Sequence, residues 1–90
     1  MRREAALERK IREFCHTNGG LCLKQDAAVY KGIPDRLIIC PNGRMFFVEL
    51  KDKDGVVAEI QHHWLNKLRN MGVDAYVVND FEKFRGLWDG

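Results

Sequence analysis

No apolar run in this sequence approaches the roughly 20 residues needed to cross a bilayer. There are no internal repeats, low-complexity tracts or linkers. Cysteine is scarce, with only Cys15, Cys22 and Cys40. An odd count without framework spacing argues against a disulfide scaffold and predicts reduced thiols. The three histidines complete no zinc spacing with them. His62 and His63 are adjacent, so on a helix they point about 100° apart. Charge of one sign is also scarce: the net charge is +2 and the isoelectric point about 8.5. That excess is too small to establish a nucleic-acid partner. It does not exclude one, because acidic metal ligands would hide a basic rim in the total. The opening residues, Met1-Arg2-Arg3-Glu4, lack the apolar block of a signal peptide. The expectation is a cytoplasmic protein with no membrane segment.

What is present is an ordinary globular composition, 46% hydrophobic and 31% charged, over 90 residues. That length predicts a single domain, residues 1–90. A domain so short buries a modest share of its surface, and pairing with a copy of itself would supply more. From Arg2 to about Thr17, Leu7, Ile11 and Phe14 form one helical stripe, which Asn18-Gly19-Gly20 ends. Leu21 to Lys24 suits a short strand. Arg36 to Cys40 and Met45 to Lys51 are apolar runs separated by Pro41-Asn42-Gly43, the signature of a hairpin. The near-continuous apolar start of the later run predicts a strand buried on both faces. Ala58 to Met71 reads as a second helix, with Ile60, Trp64, Leu65 and Leu68 on one side. Asp74 to Val78 reads as a last strand, and Asp80 to Leu87 as a final helix. The fold class is therefore α/β, in the order α-β-β-β-α-β-α. It is a small mixed sheet flanked by helices, antiparallel at the hairpin and parallel at the later crossover.

The charged residues in this pattern are informative. Glu49 and Lys51 close an apolar strand, and at a spacing of two they point the same way. Burying either group without a partner is costly. Asp35 precedes the other strand of the hairpin, so pairing through the turn brings it beside Glu49 and Lys51. Two adjacent carboxylates repel, and a divalent cation with oxygen ligands, Mg²⁺ or Mn²⁺, relieves that repulsion. Such an ion polarises a phosphoryl oxygen and acidifies bound water. A lysine beside it can orient that water or stabilise charge on the phosphate. This is chemistry suited to phosphodiester hydrolysis. A lone E-x-K would be an ordinary surface pair; the G-x-P-D segment and the hairpin between them make it specific.

Gly32-Ile33-Pro34-Asp35, then Phe47-Val48-Glu49-Leu50-Lys51, then Gln61 on the next helix, resemble the VRR-NUC domain, a branch of the PD-(D/E)XK nucleases. Gly19 to Lys24 and Ala75 to Val78 fit it as well. The resemblance implies a restriction-endonuclease-like core and a divalent metal held by Asp35 and Glu49. It maps the motif lysine to Lys51 and makes the Leu50 carbonyl a further ligand. It implies a glutamine at Gln61 near the active site, bonding to Lys51, to water or to DNA. The superfamily commonly adds a glutamate from the first helix. Glu4 and Glu8 both flank the apolar stripe; the resemblance to junction resolvases favours Glu8 as the metal ligand, with Glu4 the open alternative.

Lys24, Lys31, Arg36 and Arg44 surround the motifs and are candidates to grip phosphates, which position a duplex without reading it. Arg2, Arg3, Arg9, Lys10 and Arg12 could extend that basic surface. The implied function is a metal-dependent, structure-selective DNA endonuclease of a bacterial or phage-infected cell. A homodimer acting on four-way (Holliday) junctions is favoured, with no organic cofactor. The alternatives are a nicking or flap-cutting enzyme, a non-catalytic DNA-binding module, or a subunit regulating a larger nuclease.

Overall fold

A computed structural model describes residues 3–26 and 28–90, apart from the side chain of Arg3. The expected helix start at Arg2 lies outside the described residues. The stripe of Leu7, Ile11 and Phe14 forms helix α1 (Arg3–Thr17), and Cys15 joins it. Ile11 and Cys15 are completely buried. The helix stops where Gly19 turns to a φ of 81° and the Gly20 N–H donates back to the Cys15 carbonyl.

Strands β1 (Leu21–Lys24), β2 (Arg36–Ile39) and β3 (Met45–Leu50) follow, then helix α2 (Glu59–Asn70), strand β4 (Ala75–Val78) and helix α3 (Phe81–Asp89). The expected order is the observed one. The strands lie side by side as β1-β2-β3-β4. The first three are antiparallel, and β4 runs parallel to β3. The β2–β3 turn is closed by Gly43 N–H to Cys40 O, and Asn42 Oδ1 accepts from Arg44 N–H.

The two faces of the sheet differ. On one, Ile38, Phe46, Val48, Leu50 and Val78 pack against Ile11 and Cys15 of α1 and Phe84 of α3. On the other, α2 lays Leu65 and Leu68 on Ala75, with Phe47 and Val77 beside them. This second cover reaches only β3 and β4. Met45 is 53% exposed, so β3 is not buried on both faces at its start as its composition suggests. Ile60, expected on the packed side of α2, is also substantially exposed. Cys15, Cys22 and Cys40 are free thiols. Burial pushes the Cys15 thiol up to about 12 and the Cys22 thiol up to about 11. No described helix is long and apolar enough to cross a membrane.

Candidate active site

The site lies where β3 ends, and its position follows from the hairpin. The register pairs Arg36 with Val48, so the residue before β2 meets the residues closing β3. The Leu50 N–H donates to Asp35 Oδ1 at 3.3 Å. The Asp35 carbonyl accepts from Gln25 N–H at 2.9 Å and from Arg36 Nη1 at 2.9 Å. Asp35 is thereby pinned between the end of β1 and the end of β3. The segment before it is shaped by Gly32, whose φ of 91° and close approach to Ile60 leave no room for a side chain. Pro34 is fully buried behind it.

Glu49 is only 4% exposed, the one charged residue buried among the described residues. Desolvation is the main reason that its carboxyl is pushed up to about 7, and the nearby charge of Asp35 adds to it while Lys51 opposes it. Burial likewise raises the Asp35 carboxyl. The lysine is half-buried, and its backbone N–H donates to Val78 O on β4. Strand alternation turns its side chain to the same side as that of Glu49.

Gln61 links the site to α2. Its Oε1 accepts from the Ala58 N–H at 2.8 Å, half of a capping box. Its Nε2 donates to Glu49 Oε2 across 3.4 Å, a long contact. A residue that helps to start the helix thus also orients the buried glutamate. One turn later, the Trp64 indole N–H donates to the Lys31 carbonyl at 2.8 Å and tethers the loop leading to Asp35. The ring of Tyr30 meets that indole edge-on at 5.3 Å.

The first-helix glutamates separate in the structure. Glu8 receives Arg12 Nη1 on one oxygen at 2.7 Å and Arg36 Nε on the other at 3.2 Å. Glu4 enters no ion pair among the described residues, and its negative charge reaches both Asp35 and Glu49. Both glutamates line one cavity of about 220 Å³ with Asp35, Arg36 and Leu50. Neither is gathered with Asp35 and Glu49 into a cluster of three possible metal-ligating side chains among the described residues.

The four basic candidates also part ways. Lys24 lines a second cleft with Gln25, Asp26 and Asp35, and Lys31 is exposed on the tethered loop. Arg36 has a side chain 14% exposed and paired with Glu8, so it braces β2 against α1. Arg44 lies at the hairpin turn, at the other end of β3 from the site. There its Nη1 donates to Leu87 O at 2.6 Å and its guanidinium lies over Phe46. In the extended basic surface, Arg2 lies outside the described residues; Arg12 pairs with Glu8 and Lys10 lies over Phe81. Sequence reasoning passed over Asp52, next to Lys51, whose Oδ1 is buried without a hydrogen-bond partner among the described residues. An acidic residue in a polar break carries no signal of such burial.

The buried Glu49 and the half-buried Asp35 meet at the end of an antiparallel pair, with a lysine one strand repeat further on, the arrangement expected from the sequence. The family profile described as the VRR-NUC domain matches residues 3–81. The chain belongs to the VRR-NUC domain family. A solved structure described as a VRR_NUC domain superposes with a TM-score of 0.87 at 28% identity, covering 99% of this chain and 97% of that one. A protein of Acyrthosiphon pisum secondary endosymbiont phage 1, provisionally named nuclease p44, is 37% identical over 49 residues. That match covers 54% of this chain and 53% of the phage protein, so the chain matches about half the length of this relative.

Proposed function

We propose that the chain is a divalent-metal-dependent DNA endonuclease that cuts branched DNA as a homodimer, with the four-way junction as its preferred substrate. The observation that carries the nuclease reading is the acidic pair: Asp35 tied to the end of β3, and Glu49 buried beside it with its carboxyl raised. Such a pair is uncomfortable in an apolar setting and becomes favourable around a cation. The donor set fits Mg²⁺ or Mn²⁺, which take one or two carboxylates and complete their shell with water and phosphate oxygens.

Asp35 and Glu49 would hold the ion, with the Leu50 carbonyl as a third oxygen. When bound, it supplies Lewis acidity at the phosphate and lowers the pKa of water. Glu4 is the better-placed first-helix carboxylate, because Glu8 would have to release an arginine to join. Gln61 fixes the glutamate's orientation and is a positioning residue. Lys51 stabilises charge developing on the phosphate or orients the attacking water. Lys24 and Lys31 are the cations left to contact the DNA backbone beside the cleft.

A homodimer and a four-way junction go together in this reading. Two symmetric sites suit two strands of like polarity. The test is cleavage of a labelled synthetic four-way junction beside flap, nicked and plain duplex controls. Paired, symmetric incisions on the junction, abolished by EDTA and by Lys51→Ala, are expected. Unpaired incisions favouring flaps would overturn the junction assignment, and metal-independent binding without cutting would overturn the enzyme.

A further inference from the structure

We infer that Trp64 is a positioning residue, which through the loop before β2 sets where Asp35 stands against Glu49. That loop runs from residue 25 to residue 35 and forms no helix or strand among its described residues. A stretch of this length has many arrangements open to it, yet its last residue must place a carboxylate. The direct ties at Asp35 are weak guides. The Leu50 N–H reaches Oδ1 only at 3.3 Å, and the Gln25 N–H holds the Asp35 carbonyl, not the carboxylate. The firmer hold lies four residues earlier. There the Trp64 indole N–H donates to the Lys31 carbonyl at 2.8 Å, joining positions 33 apart in the sequence. Tyr30 rests edge-on against the same indole, and its carbonyl accepts from the Ile33 N–H at 3.1 Å, which closes a turn at this point. Gly32 lies so close to α2 that a Cβ there would come within 2.7 Å of the Ile60 side chain.

The hold is transmitted because the spacer is short and stiff. Only Gly32, Ile33 and Pro34 separate Lys31 from Asp35. Gly32 is fixed in the left-handed region at a φ of 91°. Pro34 sets its own φ and restricts Ile33 before it, and it is fully buried. A shift of the Lys31 carbonyl therefore moves Asp35 instead of being absorbed on the way. At the other end of the hold, Gln61 stands three residues before Trp64 and Ile60 four, so all three lie over one side of α2. Gln61 reaches Glu49. Trp64 and Ile60 reach the loop that carries Asp35. The start of one helix thus grips both acids, each by its own route. A small, rigid ion such as Mg²⁺ demands its oxygens at about 2.0–2.1 Å, so the separation of the two carboxylates must not drift. Outer groups that orient a metal's ligands commonly govern its affinity by about 10- to 100-fold.

This inference rests on the acid-pair reading above. Its test uses two variants. Trp64→Phe removes the indole N–H and keeps an aromatic ring for Tyr30. Gly32→Ala strains the same loop at its other contact with α2. Two readouts are taken on each. In the metal-free protein, amide hydrogen exchange at Leu50, the donor to Asp35 Oδ1, should quicken severalfold relative to the core amide of Phe46. In a calorimetric titration, Mn²⁺ affinity should fall by about 10-fold or more. Leu68→Ala supplies the contrast, because Leu68 packs the same helix on Ala75 and its neighbours. It should lower the melting temperature at least as far as Trp64→Phe does and leave Mn²⁺ affinity unchanged. Wild-type affinity and wild-type Leu50 exchange in a folded Trp64→Phe overturn the inference. So does an equal loss of affinity in Leu68→Ala, which would make the tether a matter of stability alone. If Trp64→Phe fails to fold, Gly32→Ala decides by the same two readouts. If wild type binds no Mn²⁺, the acid-pair reading fails, and the exchange at Leu50 still decides the tether.

Discussion

One face of the sheet is sealed by two helices and the other is covered over only half its width. On the sealed face Ile38, Phe46, Val48 and Phe84 are completely buried, which is where the fold draws its stability. On the open face the single helix α2 stops at β3. The candidate site falls where its first turn meets the strand end, with Gln61 reaching Glu49. The contrast teaches that cover and chemistry are divided: two helices hold the fold, and one helix reaches the acid pair while leaving apolar sheet surface exposed.

Substitutions should separate these roles. The largest effect is expected at the acid pair and its lysine. Asp35→Asn, Glu49→Gln and Lys51→Ala should each lower cleavage about 100-fold or more, with Lys51→Ala retaining Mn²⁺ binding in a calorimetric titration. Next comes the sealed face. Phe84→Ala should cost about 3–5 kcal/mol in urea denaturation. Ile39→Ala, half-buried on the open face, should cost about 1 kcal/mol in the monomer. Equal losses at the two positions would erase the difference between the faces.

Much of this layout was legible in the sequence. The spacing of Leu7, Ile11 and Phe14 announced α1, and Pro41-Asn42-Gly43 announced the hairpin. Hairpin pairing is local and carries its own geometry, so it delivered Asp35 to Glu49 before any tertiary contact was known. The first-helix carboxylate and the basic residues were not settled in the same way. Arg36 meets Glu8 from 28 residues away and Arg44 meets Leu87 from 43 away. Nothing local distinguishes an arginine that will be captured from one that will face solvent. Met45 misled for a related reason: an apolar strand reads as buried whether or not a helix from elsewhere in the sequence comes to cover it.

A smaller effect tests the buried Glu49 through pH. The folded Glu49 carboxyl is raised from 4.5 to about 7, chiefly by desolvation. Between those values the folded state binds more protons than the unfolded one. Its contribution to stability is therefore present in full below about 4.5 and is lost as pH rises towards 7. The metal-free protein should show this decline in thermal melts, and Mn²⁺ should offset it at neutral pH, with tighter binding as Glu49 deprotonates. Glu49→Gln should flatten the decline. The smallest effect is expected from Gln61→Ala. Its 3.4 Å contact with Glu49 is long, so cleavage should fall by no more than about 10-fold, with a shifted pH profile and unchanged junction binding.

The most direct measurement compares wild type with Asp35→Asn on the same labelled four-way junction in Mg²⁺, reading binding and cutting together. The acid-pair account predicts equal binding with cutting lost in the variant. Cutting that survives Asp35→Asn at the wild-type rate would contradict it.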